Sequence, residues 1–432
     1  MEVLITALFV GVILFILAKS WLASLRKEPG SSVYKPYGSE SPPRDSDSPA
    51  PKPQQNLKTY SIFTLGTSGA GKTCFMASMF HRLSLYKPDI GFYLEVPDNR
   101  QRILLTSVYS KMTDPYSDWP AGTVNETQWR FRCVVSANGN NYPVFQFNYI
   151  DYAGGHLTEY SQADSFDAQA KVSEADAVLA ILDGQKILRR LEDREHMIED
   201  PGKRIGAELN FMLPYLNNLP KKPIHFVISK WDLLDGKYLI SDVRNCLLQY
   251  DNFQTIIDHR KRLKVPTRLI PVSAVGIGFA TMSDDGRMEK KRGINPQPFH
   301  VEMSIASTLV DAFEAATKEL SYQQFEQLRR ISSNEPTAAG RIINALRGGT
   351  DALAHVLKDI VPFPLALAPA AAMRLLEFVH NRFGKSHQEL DRDRWEALSM
   401  VKDQETAVNS VISSYQFLMR EMERKFPDSD LC

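Results

Sequence analysis

The stretch Gly66-Thr67-Ser68-Gly69-Ala70-Gly71-Lys72-Thr73 constrains this chain more than any other. It follows Tyr60-Ser61-Ile62-Phe63-Thr64-Leu65, a β-branched and apolar run expected to form a strand. It precedes Cys74-Phe75-Met76-Ala77-Ser78-Met79-Phe80, the expected start of a helix. Strand, glycine-rich turn and helix give the context of a phosphate-binding loop, and Gly66, Gly71, Lys72 and Thr73 satisfy its G-x-x-x-x-G-K-[ST] pattern. Glycines let the backbone curl until several N–H groups converge on phosphate oxygens, and the helix N-terminus adds partial positive charge. The predicted phosphate contacts are Gly66, Ser68, Gly69, Ala70, Gly71, Lys72, Thr73 and Cys74. Lys72 is expected on the β- and γ-phosphates and the Thr73 hydroxyl on Mg²⁺.

From residue 60 onward, strand-like and helix-length segments alternate. Expected strands are 60–65, 129–136, 143–150, 176–183, 223–229 and 267–273. Asn138-Gly139 between the second and third is a hairpin signal. The pattern predicts an α/β fold: a mostly parallel sheet with one antiparallel hairpin and helices on both faces. The hairpin ends in Asp151-Tyr152-Ala153-Gly154. A carboxylate at a strand end suits Mg²⁺, and Gly154 lets a backbone N–H approach a γ-phosphate. Ser229-Lys230-Trp231-Asp232 closes a later strand. The Asp232 carboxylate can accept both N1–H and the N2 amino group of guanine, a donor pair adenine lacks. Lys230 can lay its stem along the ring, and Ser229 stands in the supporting position. After the last strand, Ser273-Ala274 offers a backbone N–H to guanine O6.

These four boxes, 66–73, 151–154, 229–232 and 273–274, resemble those of the translation-factor-like (Ras-like, TRAFAC) class of P-loop GTPases, over about 60–320. The resemblance implies a Ras-like P-loop domain, GTP/GDP and Mg²⁺ as ligands, slow hydrolysis, and two switch loops that sense the γ-phosphate. It also implies a switch threonine capping Mg²⁺. Thr123, in the Pro/Gly-rich loop Trp119-Pro120-Ala121-Gly122-Thr123, is preferred to Thr127, which abuts a strand. Expected metal ligands are thus Thr73, Thr123 and Asp151. The class often carries Gln or His directly after the switch glycine. This chain has Gly155 there and His156 one later, so Lys72, Thr123 and His156 form the catalytic set, with His156 as the water-orienting candidate.

Residues 3–18 carry no charge, and the run extends to Leu25 if Lys19 snorkels to the interface beside Trp21. With Arg26 and Lys27 following, residues 1–25 are expected to form a transmembrane anchor, N-terminus outside and bulk in the cytoplasm. A Pro/Ser-rich disordered linker, 26–58, comes next. The P-loop GTPase domain is then 59–330, with inserts at 85–122 and 184–207 as candidate partner surfaces. A small helical region is expected over 331–432, with an apolar stretch at 340–383. The Lys290-Lys291-Arg292 cluster is expected to be a solvated loop.

Lys plus Arg and Asp plus Glu number 51 each, so global charge gives no argument for nucleic acid. Four scattered cysteines, without metal-like spacing, fit a reducing compartment. The layout is similar to that of signal recognition particle receptor β subunits. Residues 119–123 and 151–155 are similar to bacterial double-GTPase conflict-system proteins. The expected function is a membrane-anchored, GTP-dependent switch that recruits an unknown protein effector. A non-hydrolysing GTP-bound scaffold and a dynamin-like mechanochemical GTPase are the alternatives.

Overall fold

A computed structural model describes residues 59–122, 126–152, 162–217, 219, 222–283, 286–318 and 385–432. All belong to one compact unit, 56–432. Outside them lie the expected 1–25 anchor and 26–58 linker, Thr123, Gly154, Gly155, His156 and the apolar 340–383 stretch. Among the described residues no helix is long and apolar enough to cross a membrane.

The chain runs β1 (Thr59–Leu65), α1 (Lys72–Leu83), β2 (Tyr93–Glu95), α2 (Asn99–Thr113), β3 (Thr127–Ala137), β4 (Asn140–Asp151), α3 (Gln162–Glu174), β5 (Ala177–Asp183) and α4 (Gly184–Leu191). It continues through α5 (Ile205–Asn217), β6 (Ile224–Ser229), α6 (Ile240–Leu247), α7 (Asp251–Leu263) and β7 (Thr267–Pro271). The hairpin of β8 (Ala280–Met282) and β9 (Met288–Lys290) follows, then α8 (Val301–Lys318), α9 (His387–Ser399) and α10 (Gln404–Lys425).

Seven strands form one sheet in the order β2-β3-β4-β1-β5-β6-β7. β1 pairs in parallel with β4 and β5, and β5-β6-β7 continue in parallel; β3 pairs antiparallel with both β4 and β2. The expected mostly parallel sheet with one antiparallel hairpin is therefore observed. Alternation splits the core in two. Ala177, Leu179 and Ile181 of β5 face α1, α8 and α10, whereas Val178, Ala180 and Leu182 face the helices α3 to α7. Helices thus cover both faces. A register shift between Cys133 and Val134 lets β3 pass Pro143, which has no N–H to give the ladder.

Both sheet edges are closed by the chain itself. β2 pairs with the middle of β3, and beyond it the Gln101 amide does the work of a strand: Nε2 donates to Gln128 O (2.9 Å) and Oε1 accepts from Arg130 N (3.3 Å). At the far edge Leu431 N donates to Thr267 O (2.9 Å) and Asp430 bridges Arg268. Unpaired strand edges invite foreign strands, so this closure favours a sheet that does not pair with others.

The described part of the expected 331–432 helical region carries α9 and α10, and it packs on the sheet. α10 carries Ala407, Val408, Val411, Tyr415, Met419 and Met422 at helical spacing, and all are buried in the main core. Tyr415 sits edge-on to Phe92 (4.8 Å) and Phe145 (6.0 Å). Residues 387–425 therefore build the same domain as the sheet.

Candidate nucleotide-binding site

The loop after β1 enters α1 through Gly71, whose φ of 89° lies in the left-handed region that glycine tolerates. Ala70 N donates to Thr67 O (3.2 Å), which curls the loop. Lys72 folds back over it, its Nζ donating to Gly66 O (2.7 Å) and Thr67 O (3.2 Å). Burial lowers the Lys72 pKa, against the opposing pull of the Asp151 and Glu208 carboxylates. Asp151 ends β4, is buried, and stands opposite Thr64 of β1 and Thr127 of β3. The strand that carries the loop and the strand that carries the carboxylate are thus direct neighbours.

Beneath the loop lies a pair that sequence reasoning missed. Lys186 Nζ is 2.7 Å from Glu208 Oε2 and donates to Thr67 Oγ1 (3.2 Å). Glu208 Oε1 accepts from Asp183 N (3.1 Å). Both side chains are buried; desolvation raises the Glu208 pKa despite Lys186. Here the 184–207 segment, expected as a charged partner surface, turns one of its lysines inward as a buttress. Glu208→Gln keeps the acceptor for Asp183 N but removes the charge matched to Lys186. It is expected to weaken guanine-nucleotide affinity about ten-fold, measured by titration, because the buried lysine then pulls on Thr67 without compensation.

At the other end of the cavity, Lys230 adopts φ 50° and ψ 35°, and the turn lets Trp231 N donate to Val272 O (3.0 Å). That locks the loop after β6 to the loop after β7. Asp232 Oδ1 accepts from Ser273 Oγ (2.5 Å), which itself accepts from Gly276 N (2.8 Å). Burial raises the Asp232 pKa, with the Ser273 hydroxyl opposing. Ser229 Oγ donates to Leu182 O (3.0 Å), so this residue supports the loop through β5. A Cβ at Gly184 would meet Ser229 O at 2.1 Å, so only glycine permits that crossing. Lys230 Nζ reaches Asp183 Oδ2 (2.9 Å) and Gln185 Oε1 (3.3 Å), two partners the sequence did not suggest. Ala274 is held from behind, its carbonyl accepting from Ser78 Oγ (2.6 Å).

These parts share one cavity of about 320 Å³. Ser68, Gly69, Gly71, Lys72, Thr73 and Cys74 line its phosphate end; Ser229, Lys230, Asp232 and Ala274 line the other. Trp119, Pro120, Ala121 and Gly122 close one side, with Val275 and Met288. Sequence alone places Trp119 only within a switch loop. The Trp-Pro pair within a loop was the available signal for a cavity wall. Ser273 holds Asp232 from outside the lining. Gly66, Ala70 and Asp151, expected at the site, are not among the lining residues. The expected Thr123, Gly154 and His156 lie outside the described residues.

No protein-family model matches the chain, and no curated protein matches it. Among solved structures it is similar to one described as the signal recognition particle receptor SRβ-GTP/SRX complex from Chaetomium thermophilum. That likeness has 16% sequence identity and a TM-score of 0.32, covering 51% of this chain and 92% of that one. It does not assign the chain to a family, and the α/β topology and the cavity geometry remain the grounds on which its chemistry is read.

Proposed function

We propose that this chain is a GTP-binding switch that hydrolyses GTP slowly at the cytoplasmic face of a membrane. One observation carries the reading. A single cavity is lined at one end by a lysine-bearing glycine loop and at the other by the Asp232 carboxylate, which Ser273 holds by one oxygen. A carboxylate aimed at a purine edge selects guanine, whose N1–H and N2–H donors it accepts together.

The residues also suit Mg²⁺. Among the described residues no cluster of three or more His, Cys, Asp or Glu side chains could cage a metal. Mg²⁺ instead favours one or two protein oxygens plus substrate phosphates and water. Thr73 and Asp151, with Thr123 in the switch, supply hard oxygens of that kind, and the bound ion would neutralise charge between β- and γ-phosphates. Lys72 and the N–H groups of the glycine loop orient the triphosphate. Water attacks the γ-phosphorus in line, its P–O bond to the β-phosphate breaks, and GDP and phosphate leave. Gly155 brings no side chain to that water, so His156 or a partner residue does the orienting and the intrinsic rate is low. Residues 3–25 anchor the chain, and the switch loops with the 85–122 insert engage a protein effector.

Calorimetry on the full chain is expected to register Mg²⁺-dependent binding of GDP and GTP but not of ATP. Absence of heat with guanine nucleotides overturns the proposal. Single-turnover phosphate release is expected at about 10⁻³ s⁻¹ or slower, the scale of unassisted small GTPases. Gly155 also favours a second reading, a GTP-bound scaffold. No release even with membranes and lysate present would support the scaffold over the switch.

A further inference from the structure

Lys290, expected to sit in a solvated basic loop, is instead wrapped by the turn that leads from α2 to the cavity. Its Nζ shares three N–H donors among the carbonyls of Lys111 (2.8 Å), Asp114 (3.0 Å), Ser117 (2.8 Å) and, at longer range, Asp118 (3.4 Å). The first two lie at the C-terminal end of α2, where carbonyls lack intrahelical partners and a cation is favoured. The same ammonium stands 4.8 Å from the centre of the Trp119 ring. Trp119 Nε1 donates to Met288 O (2.7 Å), two residues before Lys290. One β9 segment therefore holds the tryptophan by its face and by its N–H.

The hairpin that carries Lys290 is in turn fastened to the base-side loop. Phe279 packs edge-on to Trp119 (6.4 Å), and Phe279, Ala280, Val275 and Met112 form a small core of their own. Gln297 N donates to Val275 O (2.8 Å), and Ser273, in the same loop, holds Asp232. The residues that would read the base and the residues that run into Thr123 are thus joined through the Phe279 core, the Trp119–Met288 hydrogen bond and the Lys290 ammonium.

We propose that Lys290 is a positioning residue that holds Trp119 against the cavity, so that release of bound nucleotide requires this clasp to open. The inference rests on the guanine-nucleotide reading above. Removing the ammonium takes a shared donor from four carbonyls and the cation from the face of Trp119, without touching the phosphate loop or Asp232.

The test uses the full chain loaded with methylanthraniloyl-GDP. Lys290→Ala is expected to release it about ten-fold faster or more, with association little changed, because interactions that hold a bound state act mainly on dissociation. Lys290→Arg, which keeps a cation with several donors, is expected to stay near the parent rate. Amide exchange over 111–122 is expected to rise in Lys290→Ala, while β5 and β6 keep their protection. Unchanged exchange there refutes the clasp. Raised exchange with unchanged release refutes its control of the nucleotide, as does loss of protection throughout the sheet. Failure of the parent chain to bind the analogue at all overturns the guanine reading and the control together, a result distinct from the other three.

Discussion

Asp232→Asn is expected to move base preference from guanine to xanthine, with affinity for GDP falling about a hundred-fold or more. Guanine presents two adjacent donors, and the Asp232 carboxylate accepts both as charge-assisted bonds worth about 1.5–3 kcal/mol each. An amide keeps one acceptor and turns the other position into a donor, which meets the guanine amino group head-on. Xanthine carries a carbonyl there and restores the match. The surroundings fix which way the amide faces. Ser273 Oγ already donates to Oδ1 (2.5 Å), so the asparagine oxygen takes that position, its second lone pair serving N1–H, and the NH₂ group takes the other. Competition of XDP and GDP for the full-length variant measures the exchange, and retained guanine preference would refute Asp232 as the base reader. Burial raises the Asp232 pKa above the ordinary 3.8. Guanine needs the ionised form, so GDP affinity of the parent chain is expected to start falling, on acidification, at a pH above that of an exposed aspartate.

Much of this was legible in the sequence because the signals are local. β1, β5 and β6 are short apolar runs ended by turn residues, and their observed limits, Thr59–Leu65, Ala177–Asp183 and Ile224–Ser229, lie within a residue of the expected ones. The last strand was expected to reach 273, but β7 ends at Pro271; Val272 N still donates to Ile228 O of β6, whereas Val272 O accepts from Trp231 N and Ser273 bridges Phe299. What escaped were contacts between distant positions. Lys186 meets Glu208 only because α4 and α5 bring their buried faces under the phosphate loop. No spacing rule distinguishes that lysine from its solvated neighbours. Lys290 was hidden for the same reason, since a basic triplet looks alike whether it faces water or four carbonyls. In the tail, the helical period of α10 is visible in the sequence, but the partner of its apolar face is not. The core face of α10 is completed by Phe92, just before β2, and Phe145 of β4, which lie far away in sequence.

Asp311→Asn is expected to cost about 3–5 kcal/mol of stability, the range for breaking a buried ion pair on one side. Asp311 projects from α8 into the base of the sheet, remote from the cavity. It accepts from Arg268 Nη2 (2.9 Å) and Nε, and from His225 Nε2 (3.0 Å). Arg268 Nη1 also lies 3.5 Å from Glu423 of α10 and 3.9 Å from Asp430. One carboxylate thus ties α8 to β6 and β7, and the guanidinium it holds ties those strands to the tail. The substitution leaves a buried guanidinium with only its two more distant carboxylates. Replacing both partners, as Asp311→Leu with Arg268→Met, is expected to be milder, because no uncompensated charge remains. Thermal unfolding of the three chains distinguishes these cases, and a double variant no better than Asp311→Asn would argue against charge burial as the cause. The same network sets the response to acid. Burial lowers the His225 pKa below 6.5, so below that value the unfolded chain takes up a proton that the folded chain does not, and stability falls with pH. Arg268 and the His225 hydrogen bond hold the Asp311 pKa below the ordinary 3.8 despite its burial. Its contribution is therefore present above that value and is lost only as pH falls through the lower, folded-state pKa. Unfolding free energy measured in urea between pH 7 and 5 is expected to decline in the parent chain and to decline less in His225→Gln, which cannot bind that proton in either state.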